Sequence, residues 1–134
     1  MKITDVTKPY ERILVVHPDD LLTQVAARLA AADLRLACVC IDRRLLGVVS
    51  LADTRAATAA ATSVGAVMTA RPIVCAPTDS AEHVLDLMQQ HEVRCLPVVD
   101  KGMLVGLVSL ADLLKRTRAQ AKRDVEFLTA FVFG

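Results

Sequence analysis

Apolar positions along this chain change period in a regular way. From Leu21 to Ala32 the residues Leu22, Val25, Ala26 and Leu29 recur at three- and four-residue spacing, which predicts a helix buried along one stripe. Leu36 to Ile41 is then a continuous apolar run rich in Val and Cys, which predicts a strand covered on both faces. Asp42-Arg43-Arg44 makes a turn, and Leu45 to Val49 returns as the hairpin partner. Ahead of the helix, Ile3 to Tyr10 reads as a polar lead-in and Arg12 to Val16 as a first strand. His17-Pro18-Asp19-Asp20 turns the chain, with Asp19 or Asp20 available as a helix N-cap. Behind the hairpin, Leu51 to about Ala61 reads as an Ala-rich helix. The unit is strand, helix, strand, strand, helix.

The same order follows a second time. Ile73 to Cys75 predicts a strand, and Pro77-Thr78-Asp79-Ser80 caps a helix reaching about His91, with a buried stripe of Ala81, Val84, Leu85 and Met88. Cys95 to Val99 and Met103 to Val108 predict strands joined by Asp100-Lys101-Gly102, where Gly permits a positive φ. A last helix begins after Ser109. Leu14 to Arg55 and Ile73 to Leu114 run side by side without a gap, and 13 of the 42 paired positions are identical. The shared residues include Pro18 with Pro77, Asp20 with Asp79, Arg35 with Arg94, and Gly47-Val48-Val49-Ser50-Leu51-Ala52-Asp53 with Gly106-Leu107-Val108-Ser109-Leu110-Ala111-Asp112. The chain is an internal duplication, and two copies suit a pseudo-symmetric pair better than a solenoid.

With 134 residues, neither copy is large enough to bury a good core alone, so we expect one module over residues 1–134: repeat one at 3–62, repeat two at 63–117 and a helical tail at 118–134. The tail collects all three Phe residues, with Val125, Leu128 and Val132, behind a basic segment from Lys115 to Arg123; this apolar area is expected to pack on the module or on a second subunit.

A net charge of +1 and an aromatic fraction of 3% leave neither a basic surface nor stacking platforms for nucleic acid. No signal-peptide pattern and no run of roughly 20 apolar residues is found, so no membrane contact and a cytoplasmic location are expected. Cys38, Cys40, Cys75 and Cys95 stand in apolar runs without metal-ligand spacing, and the alternation of Cys38 and Cys40 puts both on one strand face. They read as small buried apolar residues. No nucleophile–base pair, metal constellation or Gly-rich phosphate loop is present, which argues against catalysis and against a required cofactor.

The duplicated Ser-x-x-Asp carries the chemistry. A single copy would read as a capping box. Here a Gly and two apolar residues precede it in both copies, so the Ser falls at a strand-to-helix junction, where N–H groups and a hydroxyl attract phosphate. A carboxylate one turn on can accept from ribose hydroxyls, as in dinucleotide-binding folds. Phosphate and ribose partners side by side point to a nucleotide. Arg94 and Arg71 are candidates for phosphate contact as much as for surface ion pairs, whereas Arg35 reads as a surface cation; His83 and His91 read as helix surface or rim.

The run Met68-Thr69 … Ile73-Val74 … Cys95-Leu96-Pro97-Val98-Val99-Asp100 … Leu104-Val105-Gly106-Leu107-Val108-Ser109-Leu110-Ala111-Asp112 resembles a CBS domain, the repeat named after cystathionine β-synthase. The whole then resembles a stand-alone tandem CBS pair. The resemblance implies an α/β (α+β) fold of two β-α-β-β-α repeats packed about a pseudo-twofold axis, with a C-terminal helical extension. It also implies two clefts that bind adenosine compounds such as AMP, ADP, ATP, NAD or S-adenosylmethionine. By position, Asp112 and Asp53 would take ribose hydroxyls and Ser109 and Ser50 phosphate or ribose. Ile73, Val74, Leu96 and Pro97, with Leu14 and Val15 in repeat one, would wall the adenine. Repeat one departs from the pattern, with Cys38 in the place of Pro97 and no Met-Thr in its lead-in Asp5-Val6-Thr7, so the Asp112 site is favoured over the Asp53 site.

The expected function is a non-enzymatic regulatory module that senses an adenine nucleotide between the repeats, forms a homodimer and signals to an effector protein. The alternatives are a ligand-free scaffold that dimerises through the pair and its tail, and, more weakly supported, a cysteine redox sensor.

Overall fold

The structure, a computed structural model, describes residues 2–56 and 61–116. The tail at 118–134 and most of the basic segment before it therefore lie outside the described residues. Among the described residues seven strands form the sheet: β1 (Lys8–Pro9), β2 (Val15–Val16), β3 (Leu36–Ile41), β4 (Arg44–Ser50), β5 (Thr69–Ala70), β6 (Cys95–Asp100) and β7 (Met103–Ser109). Among the described residues the helices are α1 (Leu22–Ala31), α2 (Leu51–Ala56), α3 (Val64–Val67), α4 (Ala81–His91) and α5 (residues 110–116), with short 3-10 turns at Ile3–Asp5 and Tyr10–Arg12.

Each repeat is built on its antiparallel hairpin, β3 with β4 and β6 with β7. Both ladders shift register at the same place, after Val39 and after its counterpart Val98. The first segment of each repeat adds a parallel contact, Val15 and Val16 beside Cys38 and Val39 in one and Cys75 beside Val98 in the other. The predicted strand Arg12 to Val16 shortens to β2 because Tyr10–Arg12 coils into a 3-10 turn; Ile73 to Cys75 is not a strand, since Cys75 alone bridges to Val98. The helix predicted from Leu51 is described to Ala56, and residue 61 already lies in a turn.

The amphipathic stripes are buried as their spacing implies. Leu22, Val25 and Leu29 of α1 pack with Val16, Ala37, Val39 and Val49; Ala81, Val84 and Met88 of α4 pack with Cys75, Leu96, Val98, Val108 and Leu113. Ser80 caps α4, its Oγ accepting from the His83 N–H at 3.1 Å. Neither Asp19 nor Asp20 caps α1. Leu21 holds that position with no side-chain cap, and Asp20 Oδ2 instead accepts from the His17 N–H at 2.9 Å, as Asp79 Oδ2 accepts from the Ala76 N–H at 2.8 Å. The recurring aspartates thus close turns ahead of the helices.

A third apolar cluster, Cys38, Cys40 and Leu104 with Tyr10, Ile13, Val15, Leu45, Val48, Val99 and Leu107, joins the two repeats. Cys38 and Cys40 do share a face, and that face is the repeat interface.

The lead-in segments cross over. β1 pairs with β7 of repeat two, and β5 pairs with β4 of repeat one. Ile3, fully buried, belongs to the repeat-two core, and Val64, fully buried, to the repeat-one core. Backbone bonds match: Ile3 N–H donates to Asp79 O at 3.5 Å and Val64 N–H to Asp20 O at 2.9 Å. Ile3 to Tyr10 is thus an exchanged element of the core. By its pairing, Thr7-Lys8 takes the place of Met68-Thr69, two residues out of the register that relates the rest of the repeats.

Candidate functional site: a cavity between the repeats

Both hairpins end in the Ser-x-x-Asp motif, and the two copies are not equivalent. In repeat one the box is closed. The Asp53 N–H donates to Ser50 Oγ at 3.1 Å, and the Ser50 N–H donates to Asp53 Oδ2 at 2.9 Å. In repeat two only half is made: the Asp112 N–H donates to Ser109 Oγ at 3.1 Å, and among the described residues the Asp112 carboxylate accepts no hydrogen bond. The Asp53 carboxylate is committed to its helix; that of Asp112 has no hydrogen-bond partner among the described residues.

Beside the repeat-two motif lies a cavity of about 980 Å3, at the upper end of the roughly 300–1,000 Å3 usual for small-molecule sites. Three parts of the chain line it. Repeat two supplies Arg94, Cys95, Leu96 and Pro97 at the start of β6, Ser109, Leu110, Ala111 and Leu114 at the β7–α5 junction, and His91 and Val93 at the end of α4. The crossing segment supplies Thr69, Arg71, Pro72 and Ile73; repeat one supplies Arg35, Leu36 and Val48. The Arg94 carbonyl is fixed by the Leu110 N–H at 2.7 Å, as the Arg35 carbonyl is by the Leu51 N–H at 2.8 Å. These bonds tie each arginine to the first turn of its own repeat's helix.

The walls are mostly apolar, and the polar groups are one-sided in charge: three guanidinium groups and an imidazole, with no carboxylate among the lining residues. None of the three arginines is ion-paired among the described residues. Burial pushes the Cys95 thiol above its ordinary range; Lys8 and Arg35 counter part of this and the nearby Asp112 carboxylate adds to it, so the thiol adds no negative charge at neutral pH. Such a space suits a ligand with a flat apolar part and an anionic part. Among the described residues no three His, Cys, Asp or Glu side chains converge as metal ligands would.

Of the residues singled out from sequence, Ser109, Ile73, Leu96, Pro97, Arg94 and Arg71 meet at this cavity. Asp112 follows directly on the lining residue Ala111 and faces a smaller hollow of about 310 Å3 with Val6, Lys115 and Arg116. Val74 is exposed to solvent. Leu14 packs on the repeat-one core and Val15 into the repeat interface, while Ser50 and Asp53 cap α2 together. His91 is a rim residue as expected. Arg35, read as a surface cation, is exposed and also lines the cavity. Its match to Arg94 was visible in sequence, but only the packing of the repeats brings the two to one space.

Comparison with known proteins agrees with this architecture. The CBS domain model matches residues 3–59 and 64–118. The chain is 33% identical over 116 residues to the inosine-5'-monophosphate dehydrogenase of Methanocaldococcus jannaschii, covering 84% of this chain and 23% of that protein. It thus spans about a quarter of the length of that relative. Among solved structures it resembles CBSX2 in complex with AMP, with a TM-score of 0.81 and 25% identity over 90% of this chain and 98% of that one; CBSX2 is a CBS-pair protein of Arabidopsis thaliana. It also resembles the cytosolic domain of the Mg2+ channel MgtE in complex with ATP, with a TM-score of 0.77 and 27% identity over 85% of this chain and 48% of that one. The duplicated hairpins, the exchanged lead-ins and the matched model together place this chain in the CBS domain family, as a tandem CBS pair.

Proposed function

We propose that the chain is a regulatory module that binds an adenosine phosphate in the cavity between its repeats. CBS domains are typically non-catalytic, and structural relatives hold AMP and ATP. The observation that carries the reading is the cavity itself, with apolar walls at Ile73, Leu96 and Pro97 for a base and a hydroxyl and arginines, Ser109, Arg94 and Arg71, for phosphate. The carboxylate of Asp112, next to the wall and without a hydrogen-bond partner among the described residues, is available to ribose hydroxyls.

The signal follows from who lines the site. A ligand there touches repeat two, the crossing segment paired to β4, and repeat one at Arg35, Leu36 and Val48. It would therefore bind differently to arrangements that differ in the packing of the repeats, and it can shift them by no more than that difference in affinity. A partner protein and a second copy of the chain are the proposed readers of the shift.

Thermal unfolding with AMP, ADP, ATP, NAD and S-adenosylmethionine tests this. A ligand at about 100 times its Kd stabilises by about 2.7 kcal/mol, a readily measured rise in Tm. The rise is expected for wild type and is expected to shrink in Arg94→Gln and in Asp112→Ala. Absence of any shift would leave the ligand-free scaffold, a reading that the closed Ser50–Asp53 box favours for repeat one.

A further inference from the structure

The cavity between the repeats keeps apolar surface open. Leu36, Ile73, Val93 and Leu110 line it and are only half-buried, and Leu114, also in its wall, is 41% exposed. Leu114 stands on α5, two residues before Arg116, where the described structure ends. The chain thus leaves the described part from the cavity wall itself. Residues 117–134 follow, and their polar half comes first, with Arg118, Lys122 and Arg123 and then Asp124 and Glu126. From Phe127 to Phe133 no residue is charged, and this stretch holds all three Phe residues of the chain together with Leu128 and Val132. Apolar area of that size is seldom left in water.

We propose that the cavity takes this chain's own apolar tail, the segment 127–133, so that any ligand entering between the repeats has to displace it. Room and reach both allow this. A cavity of roughly 150 Å3 holds one benzene ring, so about 980 Å3 has space for several. Ten residues separate Arg116 from Phe127, a reach of up to about 33 Å, enough to double back to the wall at Leu114. Asp124 and Glu126 enter just ahead of the rings, and Arg71 and Arg94 line the cavity while exposed to solvent. The Asp112 carboxylate lies close enough to Cys95 to raise its thiol, so the surroundings are of mixed charge. Apolar burial therefore seats the tail, and the acids add to it at the rim. The proposal goes beyond the adenosine reading and holds whether or not a nucleotide binds.

Thiol modification of the full chain tests it without any nucleotide, so its failure is read separately from a failure of the adenosine reading. Cys95 lines the cavity and is half-buried, whereas Cys75 is buried in the repeat-two core and reports unfolding. With the tail seated about nine-tenths of the time, Phe131→Asp should speed modification of Cys95 by N-ethylmaleimide about tenfold, with Cys75 still protected. Phe131→Leu should keep most of the protection. Leu114→Asp in the wall should speed Cys95 as well, and the double variant with Phe131→Asp should be no faster than the faster single one, because both break one contact. A second variant does not depend on loosening the tail: in Phe131→Cys, a short bismaleimide should tie the introduced thiol to Cys95 within one chain, and Cys95→Ser should abolish the link. An unchanged Cys95 rate in Phe131→Asp, or no link within the chain, would overturn the proposal. Links found only between chains would overturn it too, in favour of the tail of a second copy.

Discussion

At the two motif glycines, Gly47 and Gly106, the missing side chain leaves room for another segment of backbone. A methyl group at Gly47 would stand 2.6 Å from the Thr69 carbonyl oxygen, and one at Gly106 would fall on the Lys8 carbonyl oxygen and the Thr7 methyl. These carbonyls belong to the exchanged lead-ins, so the glycines are recurrent because the crossing strands need close approach. Gly106→Ala should cost about 1–3 kcal/mol, read as a lower urea midpoint, because backbone has to move. The aspartates of the same motif should part company. Asp53→Ala breaks a closed capping box and should cost about 1 kcal/mol, whereas Asp112→Ala in the unliganded protein should stay within about 0.5 kcal/mol. Equal losses would show that the Asp112 carboxylate is structural after all. Burial pushes the Cys38 and Cys75 thiols up to about 12 and Cys40 to about 11, from an ordinary value of 9.0. Neighbouring Cys40 and Cys95 raise Cys38 further, Asp79 raises Cys75, and Arg43 lowers Cys40. Their stabilisation is complete below the unfolded pKa and is lost as pH rises from about 9 toward the folded values, because the unfolded chain then sheds protons that the folded one keeps. The urea midpoint of wild type should fall between about pH 9 and 11, and more shallowly in Cys75→Ala.

The hairpin turns show how the same element is reached by different residues. In repeat two the turn residues Lys101 and Gly102 have φ of 52° and 80°, while in repeat one Asp42 and Arg43 have φ of 49° and 66° with no glycine. A side chain in that region is disfavoured by roughly 1–2 kcal/mol. Arg43 offsets part of this cost through contacts of its own: its guanidinium stacks over the Tyr10 ring at 4.1 Å and Nη2 donates to the Leu104 carbonyl at 3.2 Å. Arg43→Ala should therefore destabilise, having lost the contacts while keeping the strained backbone. Arg43→Gly should be the more stable of the two by about 1 kcal/mol in chemical denaturation, and the reverse order would show that the turn is unstrained. Hairpins and helix stripes were legible because period and local polarity follow from which face is covered. The short first segments were not, because β2 and the Cys75 bridge are defined by parallel pairing to a distant strand rather than by a pattern of their own.

For the whole molecule, the exchange of lead-ins is what makes two small repeats one core. Ile3 seals repeat two and Val64 seals repeat one, each from the other's end of the sequence. Ile3→Ala should cost about 2–5 kcal/mol, and hydrogen exchange should quicken in α4 and β6 of repeat two before it quickens in α1 and β3. Loss confined to repeat one would show that the lead-in stays with its own repeat in solution. The crossing also places the cavity, since Thr69, Arg71, Pro72 and Ile73 enter it on their way from repeat one's sheet to repeat two.

By itself the sequence determined the duplication, the order of hairpins and amphipathic helices, and the Ser-x-x-Asp motifs, because these depend on residue types at short spacing and on register within one repeat. Ser109 and Arg94 were singled out by the duplicated motif and register, Leu96 and Pro97 by the family resemblance, and all four line the cavity. Tertiary structure alone decided that the lead-ins change partners, that Asp53 is committed to its helix while the Asp112 carboxylate has no hydrogen-bond partner among the described residues, and that Arg35 and Arg94 line one cavity. Those outcomes turn on how two surfaces meet, and a surface of one repeat carries no local pattern naming the residue it will face on the other.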